Sequence, residues 1–123
     1  MFKIEAIVRE EKLEDVKEAL FGIEVRGITV SQVMGCGTQM GYTHKVRGSV
    51  SAMTMLPKVK FEIVVSTPNW AQKVINVIRE AAWTGEVGDG KIFCYELDRA
   101  IRIRTGEEGF MAIQPGAPTP AKD

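Results

Sequence analysis

Two short runs, Phe2 to Val8 and Lys58 to Val65, alternate apolar with polar residues, and each is followed by a stretch whose apolar residues recur at helical spacing. A period of two suits a half-buried strand and a period near 3.6 an amphipathic helix, so each run must be a strand that hands over to a helix. In the first unit Phe2, Ile4, Ala6 and Val8 share one strand face. Leu13, Val16 and Leu20 then mark a helix among Glu14, Asp15, Lys17 and Glu18, with Gly22 as its expected stop. Gly27 to Gly35 reads as a second strand through Ile28, Val30 and Val33. In the second unit Val59, Phe61, Ile63 and Val65 point inward, away from Glu62 and the flanking lysines. A helix follows Ser66-Thr67-Pro68-Asn69 with Trp70, Val74, Val77, Ile78 and Ala81 on one stripe. Ile92 to Leu97 is a fourth strand. Ala100 to Arg104 is a short fifth, with Ile101 and Ile103 on one face and Arg102 and Arg104 on the other.

This order predicts an α+β, ferredoxin-like βαββαβ sandwich with a short extra C-terminal strand and both helices on one sheet face. The second and third strands are joined by a long loop, Gly35 to Pro57, and a connection of that length inside a compact domain is usually functional. A single domain is expected over residues 1–112, with a flexible Pro- and Gly-rich tail over 113–123. With 16 basic and 16 acidic side chains in 123 residues the chain has no net charge, so no global field attracts nucleic acid or an anionic membrane. Cys36 and Cys94 lack metal-site spacing and read as free thiols of a reducing cytoplasm. His44 reads as a solvated loop residue, and no apolar run has the length of a signal peptide core or a membrane span.

Two glycine clusters stand out, Gly35-Cys36-Gly37-Thr38-Gln39-Met40-Gly41 and Thr84-Gly85-Glu86-Val87-Gly88-Asp89-Gly90-Lys91. Glycines let backbone N–H groups converge on an anion, although a helix C-cap and a tight turn would account for Gly85 and Gly88 equally well. Gly85 to Lys91 meets the first half of a Walker A pattern, yet Ile92 stands where a magnesium-binding Ser or Thr belongs and the order is helix to strand, which excludes a P-loop ATPase. Lys91 closes one cluster, and Arg102 with Arg104 can present two guanidinium forks from one strand face. Three cations and two glycine nests suit a triphosphate.

The run from Thr84 to Phe93, followed by Ile101-Arg102-Ile103-Arg104-Thr105-Gly106-Glu107, resembles the signature of PII nitrogen-regulatory signal transduction proteins. Lys3-Ile4-Glu5-Ala6-Ile7 and Leu56-Pro57-Lys58-Val59-Lys60 agree with it. The resemblance runs from Met1 to about Glu108 and implies a cytoplasmic homotrimer, not an enzyme, with nucleotide sites in the clefts between subunits. Carried onto this chain, it implies an ATP or ADP pocket of Ile7, Thr29, Gly35, Cys36, Gly37, Thr38, Gln39, Glu62, Val64, Gly88, Asp89, Gly90, Lys91, Arg102 and Arg104. It further implies a 2-oxoglutarate site of Gly37, Gln39, Gly41, Lys58 and Gly88, in which Gln39 ligates a magnesium ion held by the ATP phosphates. A loop over about residues 37–55, with Tyr42, Arg47, Ser49 and Ser51, would touch the target, such as an ammonium transporter or a nitrogen-metabolism enzyme or regulator.

The alternative is a sensor of nucleotide ratio or of another small effector, such as bicarbonate or one tied to a metal-linked pathway, with a non-nitrogen target. A small ferredoxin-fold phosphatase would need a base or nucleophile, and only Asp89 is in sight. A single-stranded nucleic-acid module would need paired aromatics on its strands. Ser51 stands where many bacterial members carry a modifiable tyrosine, while Thr38 and Met40 replace an arginine and a lysine, and Cys36 an aromatic. Thr38 has no charge to follow a third phosphate, so Thr38→Arg is expected to shift preference from ADP toward ATP, read as the ratio of the two dissociation constants by calorimetry.

Overall fold

The structure, a computed structural model, describes residues 1–38, 45–46, 49–50 and 53–114. Its elements are β1 (Phe2–Arg9), a 3-10 turn (Glu10–Lys12), α1 (Leu13–Gly22), β2 (Ile28–Thr38), β3 (Lys45–Val46), β4 (Ser49–Val50), β5 (Met53–Val65), α2 (Pro68–Ala82), β6 (Gly90–Glu96) and α3 (Phe110–Ile113). A four-stranded antiparallel sheet runs β2-β5-β1-β6, and β3 pairs with β4 separately. This is the expected α+β ferredoxin-like fold, with the helices on one face.

The core is one cluster. Ile4, Ala6 and Val8 of β1 and Val59, Phe61, Ile63 and Val65 of β5 meet Val16 and Leu20 of α1 and Ala71, Val74, Ile78 and Ala82 of α2. The alternation therefore set the inward faces of the two central strands correctly. On α2 the buried stripe is offset from expectation. Trp70 stays 37% exposed beneath the Lys73 ammonium, 4.8 Å from its ring centroid, and Ala71 takes the core position. Small residues at both ends of the stripe let the helix lie close to the sheet. Thr67 caps α2 by accepting the Trp70 N–H at 3.1 Å, with Pro68 fixed at the first helical position.

The connection between the second and third strands differs most from the sequence reading. β2 and β5 continue as a paired ribbon through Gly35↔Leu56, Cys36↔Met55, Gly37↔Thr54 and Thr38↔Met53, so much of the expected loop is sheet. Pro57 fits because it lies one residue beyond the last β1 pairing, Arg9↔Lys58, where β5 has β2 as its only strand neighbour. The expected fifth strand is reduced to a single bridge, Ile101↔Glu108, followed by a turn. Ile101 and Ile103 are 50% and 100% exposed, and with no inner face to bury, their alternation has nothing to hold it extended. The proline-rich tail lies outside the described residues from 115 onward.

Gly22 is not the residue that stops α1. The Glu24 and Val25 N–H groups bond back to the Phe21 and Leu20 carbonyls, and Glu24 takes the left-handed conformation at φ 68°. That is a Schellman ending with a glutamate where glycine is favoured. Glu24→Gly is expected to stabilise the fold by about 0.5–1 kcal/mol, seen as a higher midpoint in urea unfolding.

Candidate functional site

The register sorts the sequence-predicted residues by face. Directly opposed residues of antiparallel strands share a face, so Thr29↔Glu62, Ile7↔Lys60, Ile7↔Lys91, Lys3↔Val64 and Gly35↔Leu56 put Ile7, Thr29, Gly35, Glu62, Val64 and Lys91 together on the face away from the helices. Lys58, opposite Val33 and Arg9, belongs to the same face. Cys36 does not. It pairs with Met55, one residue out of phase, on the helix-bearing side of the ribbon. Gln39, Met40, Gly41, Tyr42, His44, Arg47 and Ser51 lie outside the described residues. Of Gly37, Thr38 and Ser49 only the backbone pairing is described.

The open face is a ladder of charges. Glu5 and Glu62 stand directly opposite each other, which alone would be repulsive. Lys60 lies 3.6 Å from Glu5 and 3.4 Å from Glu62, and Lys3 lies 3.5 Å from Glu62. Burial works against the Lys3 ammonium, but Glu62, Tyr95 and Glu5 more than offset it and raise its pKa above the ordinary lysine value.

At the end of this ladder Arg9 and Lys58, a cross-strand pair, reach the Thr84–Lys91 turn. Arg9 donates from Nε to Asp89 at 3.0 Å and from Nη2 to the Val87 carbonyl at 2.9 Å. Lys58 Nζ donates to the Gly88 carbonyl at 2.8 Å. The lysine stem also lies against Gly35, where an added Cβ would come within 3.2 Å of it. Through Lys58 the two glycine clusters of the sequence therefore meet. Gly90, at φ 104°, is fixed by contact: a Cβ there would sit 1.8 Å from the Ile7 carbonyl oxygen, so the turn enters β6 only through a residue without a side chain.

Asp89 is saturated. Its carboxylate accepts the Arg9 Nε, the Thr84 hydroxyl, the Thr84 N–H at 2.8 Å and the Gly85 N–H at 3.0 Å, about as many bonds as a carboxylate can take. Burial opposes its charge, but the bonds from Thr84, Arg9 and Gly85 prevail and hold its carboxyl far below the usual carboxylate range. Sequence reasoning grouped Asp89 with the phosphate-binding residues. An anion with no donor left to gain cannot grip another anion, so its work is inside the turn. Arg9 and Thr84 were missed as parts of this site: the signal that finds Arg9 is the β1–β5 register, and for Thr84 it is the five-residue span to Asp89 within the glycine-rich run.

Arg102 and Arg104 do not share a strand face. Arg102 donates to the carbonyls of Met111, at 2.9 Å, and Gln114, and its Nε lies 3.5 Å from Glu107, all within its own C-terminal segment. Arg104 is exposed. A groove of about 360 Å³ opens between α2 and the β6 edge, lined by Val8, Ile78, Arg79, Trp83 and Ile92 and bordered by Asp89, Gly90 and Lys91 of the same turn.

The family model described as "Nitrogen regulatory protein P-II" matches residues 1–107. The chain belongs to the nitrogen regulatory protein P-II family. P-II proteins of Pasteurella multocida and Rhizobium meliloti are each 50% identical to it over 113 residues, covering 92% of this chain and 100% of theirs. Among solved structures, Arabidopsis thaliana PII bound to citrate is similar with a TM-score of 0.71 and 43% identity, over 90% of each chain. As a P-II protein the chain is a signal regulator of nitrogen metabolism and not an enzyme. Among its described residues no helix is long and apolar enough to cross a membrane.

Because the folded Asp89 carboxyl is depressed, its contribution to stability is fully present above the unfolded value, about pH 3.9, and is lost as pH falls toward the folded value. The stability gap between the wild type and Asp89→Asn, measured by urea unfolding, is expected to be constant from about pH 7 to about pH 5 and to shrink below about pH 4.

Proposed function

We propose that this P-II protein is a cytoplasmic homotrimer that binds ATP or ADP in clefts between subunits, with magnesium and 2-oxoglutarate as co-ligands. Through its loop over about residues 37–55 it would control a target such as an ammonium transporter or a nitrogen-metabolism enzyme or regulator. The observation that carries this reading is the convergence of Gly35, Lys58, Lys91 and the Thr84–Lys91 turn at one end of an open sheet face. Backbone amides beside lysines are suited to phosphate oxygens.

The surface that one chain leaves bare supports the assembly. β6 is an edge strand with Phe93, Cys94 and Tyr95 exposed, and Ile101 and Ile103 are exposed beside Arg102 and Arg104. A neighbouring copy would cover this surface, and Arg102, bonded within its own C-terminal segment, and the exposed Arg104 would serve a neighbour's pocket. Closed cyclic symmetry leaves no open edge. A second reading, a sensor of nucleotide ratio that ignores 2-oxoglutarate, draws on the Lys58 ammonium, which is already spent in part on the Gly88 carbonyl.

Titration calorimetry with ATP, ADP and AMP, each with and without magnesium and 2-oxoglutarate, tests both. The first reading expects 2-oxoglutarate to bind only with magnesium-ATP present, and the second expects no heat from it. Arg102→Ala should weaken nucleotide binding by roughly one to two decades. Mass-resolved chromatography should give three subunits, and a monomer at micromolar concentration would refute the shared pocket.

A further inference from the structure

Val87 and Gly88 have both carbonyls directed at cations, the first at Arg9 and the second at Lys58. In a planar trans peptide the following N–H points opposite to the carbonyl, so the Gly88 and Asp89 N–H groups are turned away from those cations. Neither N–H is among the donors that hold the turn, which come from Arg9, Lys58, Thr84, Gly85 and Glu86. Two consecutive amides with fixed direction form the kind of concavity that takes an anion.

Such a turn is worth little as a binding element unless it is held before the ligand arrives, because ordering it on binding would consume affinity. What holds it is its neck. Thr84 gives its N–H and hydroxyl to Asp89 and accepts the Glu86 N–H on the same hydroxyl oxygen at 3.1 Å. Gly85 adds its N–H to Asp89, and Arg9 ties the carboxylate to the end of β1. The positive φ angles of Gly85, Gly88 and Gly90 let the backbone close over so short a span.

We propose that Thr84 is a positioning residue: its hydroxyl, acting through the Asp89 carboxylate and from there through Arg9, locks the Gly85–Gly90 turn so that the Gly88 and Asp89 amides are preset for the phosphates of a nucleoside di- or triphosphate. The role rests on the nucleotide reading above. It assigns the lock to side chains that never touch the ligand, and it explains why a carboxylate sits in the middle of a phosphate-binding turn. Asp89 is neutralised by its donors, and its purpose is to aim its neighbours.

The test compares Thr84→Val, which keeps the shape and loses the hydroxyl, with Thr84→Ser, which keeps the hydroxyl. Without ligand, amide exchange of Gly85–Gly90 should quicken about tenfold in Thr84→Val, and ADP affinity by calorimetry should fall about tenfold. Thr84→Ser should restore both to within about twofold of the wild type, and the protection of α1 and α2 should not change in either variant. Arg9→Gln provides the same readings should Thr84→Val also loosen the helices. Unmoved turn amides, or a loosened turn with unchanged ADP affinity, or a serine variant as impaired as the valine variant, would each overturn the positioning role. If the wild type itself does not bind ADP, the nucleotide reading falls and takes the role with it, a result distinct from a binding wild type whose variants bind equally well.

Discussion

One cross-strand pair organises everything functional in this molecule. Because β1 and β5 are antiparallel with Arg9 opposite Lys58, two cations stand side by side at the end of the central strands and face the turn before β6. Slipping that register by one residue would put the two on opposite faces and scatter the core alternation as well. The hydrophobic pattern that buries Ile4, Ala6, Val8, Phe61 and Ile63 therefore also aims Arg9 and Lys58. Fold and site share one degree of freedom.

The open face depends on the same register in a subtler way. Two glutamates are forced opposite each other at Glu5 and Glu62, and the lysines at positions 3 and 60 fall on the diagonals where they neutralise both. Individually such half-exposed pairs contribute little. Together they keep a face of alternating sign that tolerates proximity to a polar ligand or to another subunit's face without net repulsion.

How much of this was legible in the sequence follows from range. Period-two and period-3.6 signals are local, so the central strands, both helices and the ferredoxin-like order were readable from Phe2 to Ala82. The helix stripe was misphased at Trp70 because periodicity cannot tell a tryptophan from an alanine that fits the gap better. The paired segments Gly35–Thr38 and Met53–Leu56 read as loop in the sequence because glycine and proline weaken strand propensity, while cross-strand hydrogen bonds do not require it. Arg102 and Arg104 alternate like a strand, yet a strand needs a neighbour, and one chain offers them a single bridge. The glycine-rich turn itself was visible from composition. That Arg9 ties Asp89 to the end of β1 is a contact across about eighty positions of chain, which no local pattern carries, whereas the Thr84–Asp89 bonds lie inside the run already singled out.

The position of β1 also bears on how the chain comes to fold. It is one of the two central strands and precedes both of its partners in the chain, residues 58–65 on one side and 90–96 on the other. On the ribosome, Phe2–Arg9 must therefore wait, apolar on one face and unpaired on both edges, until residues 58–65 have been synthesised. α1 can shelter part of that face early, and its charged outer side keeps the nascent unit in solution. Completion of the sheet comes only with β6, the same strand that enters through Gly90, so the last pairing to form is the one that sets the turn against Ile7. The Thr84–Lys91 turn is thus set in place only as the sheet is completed, and not before.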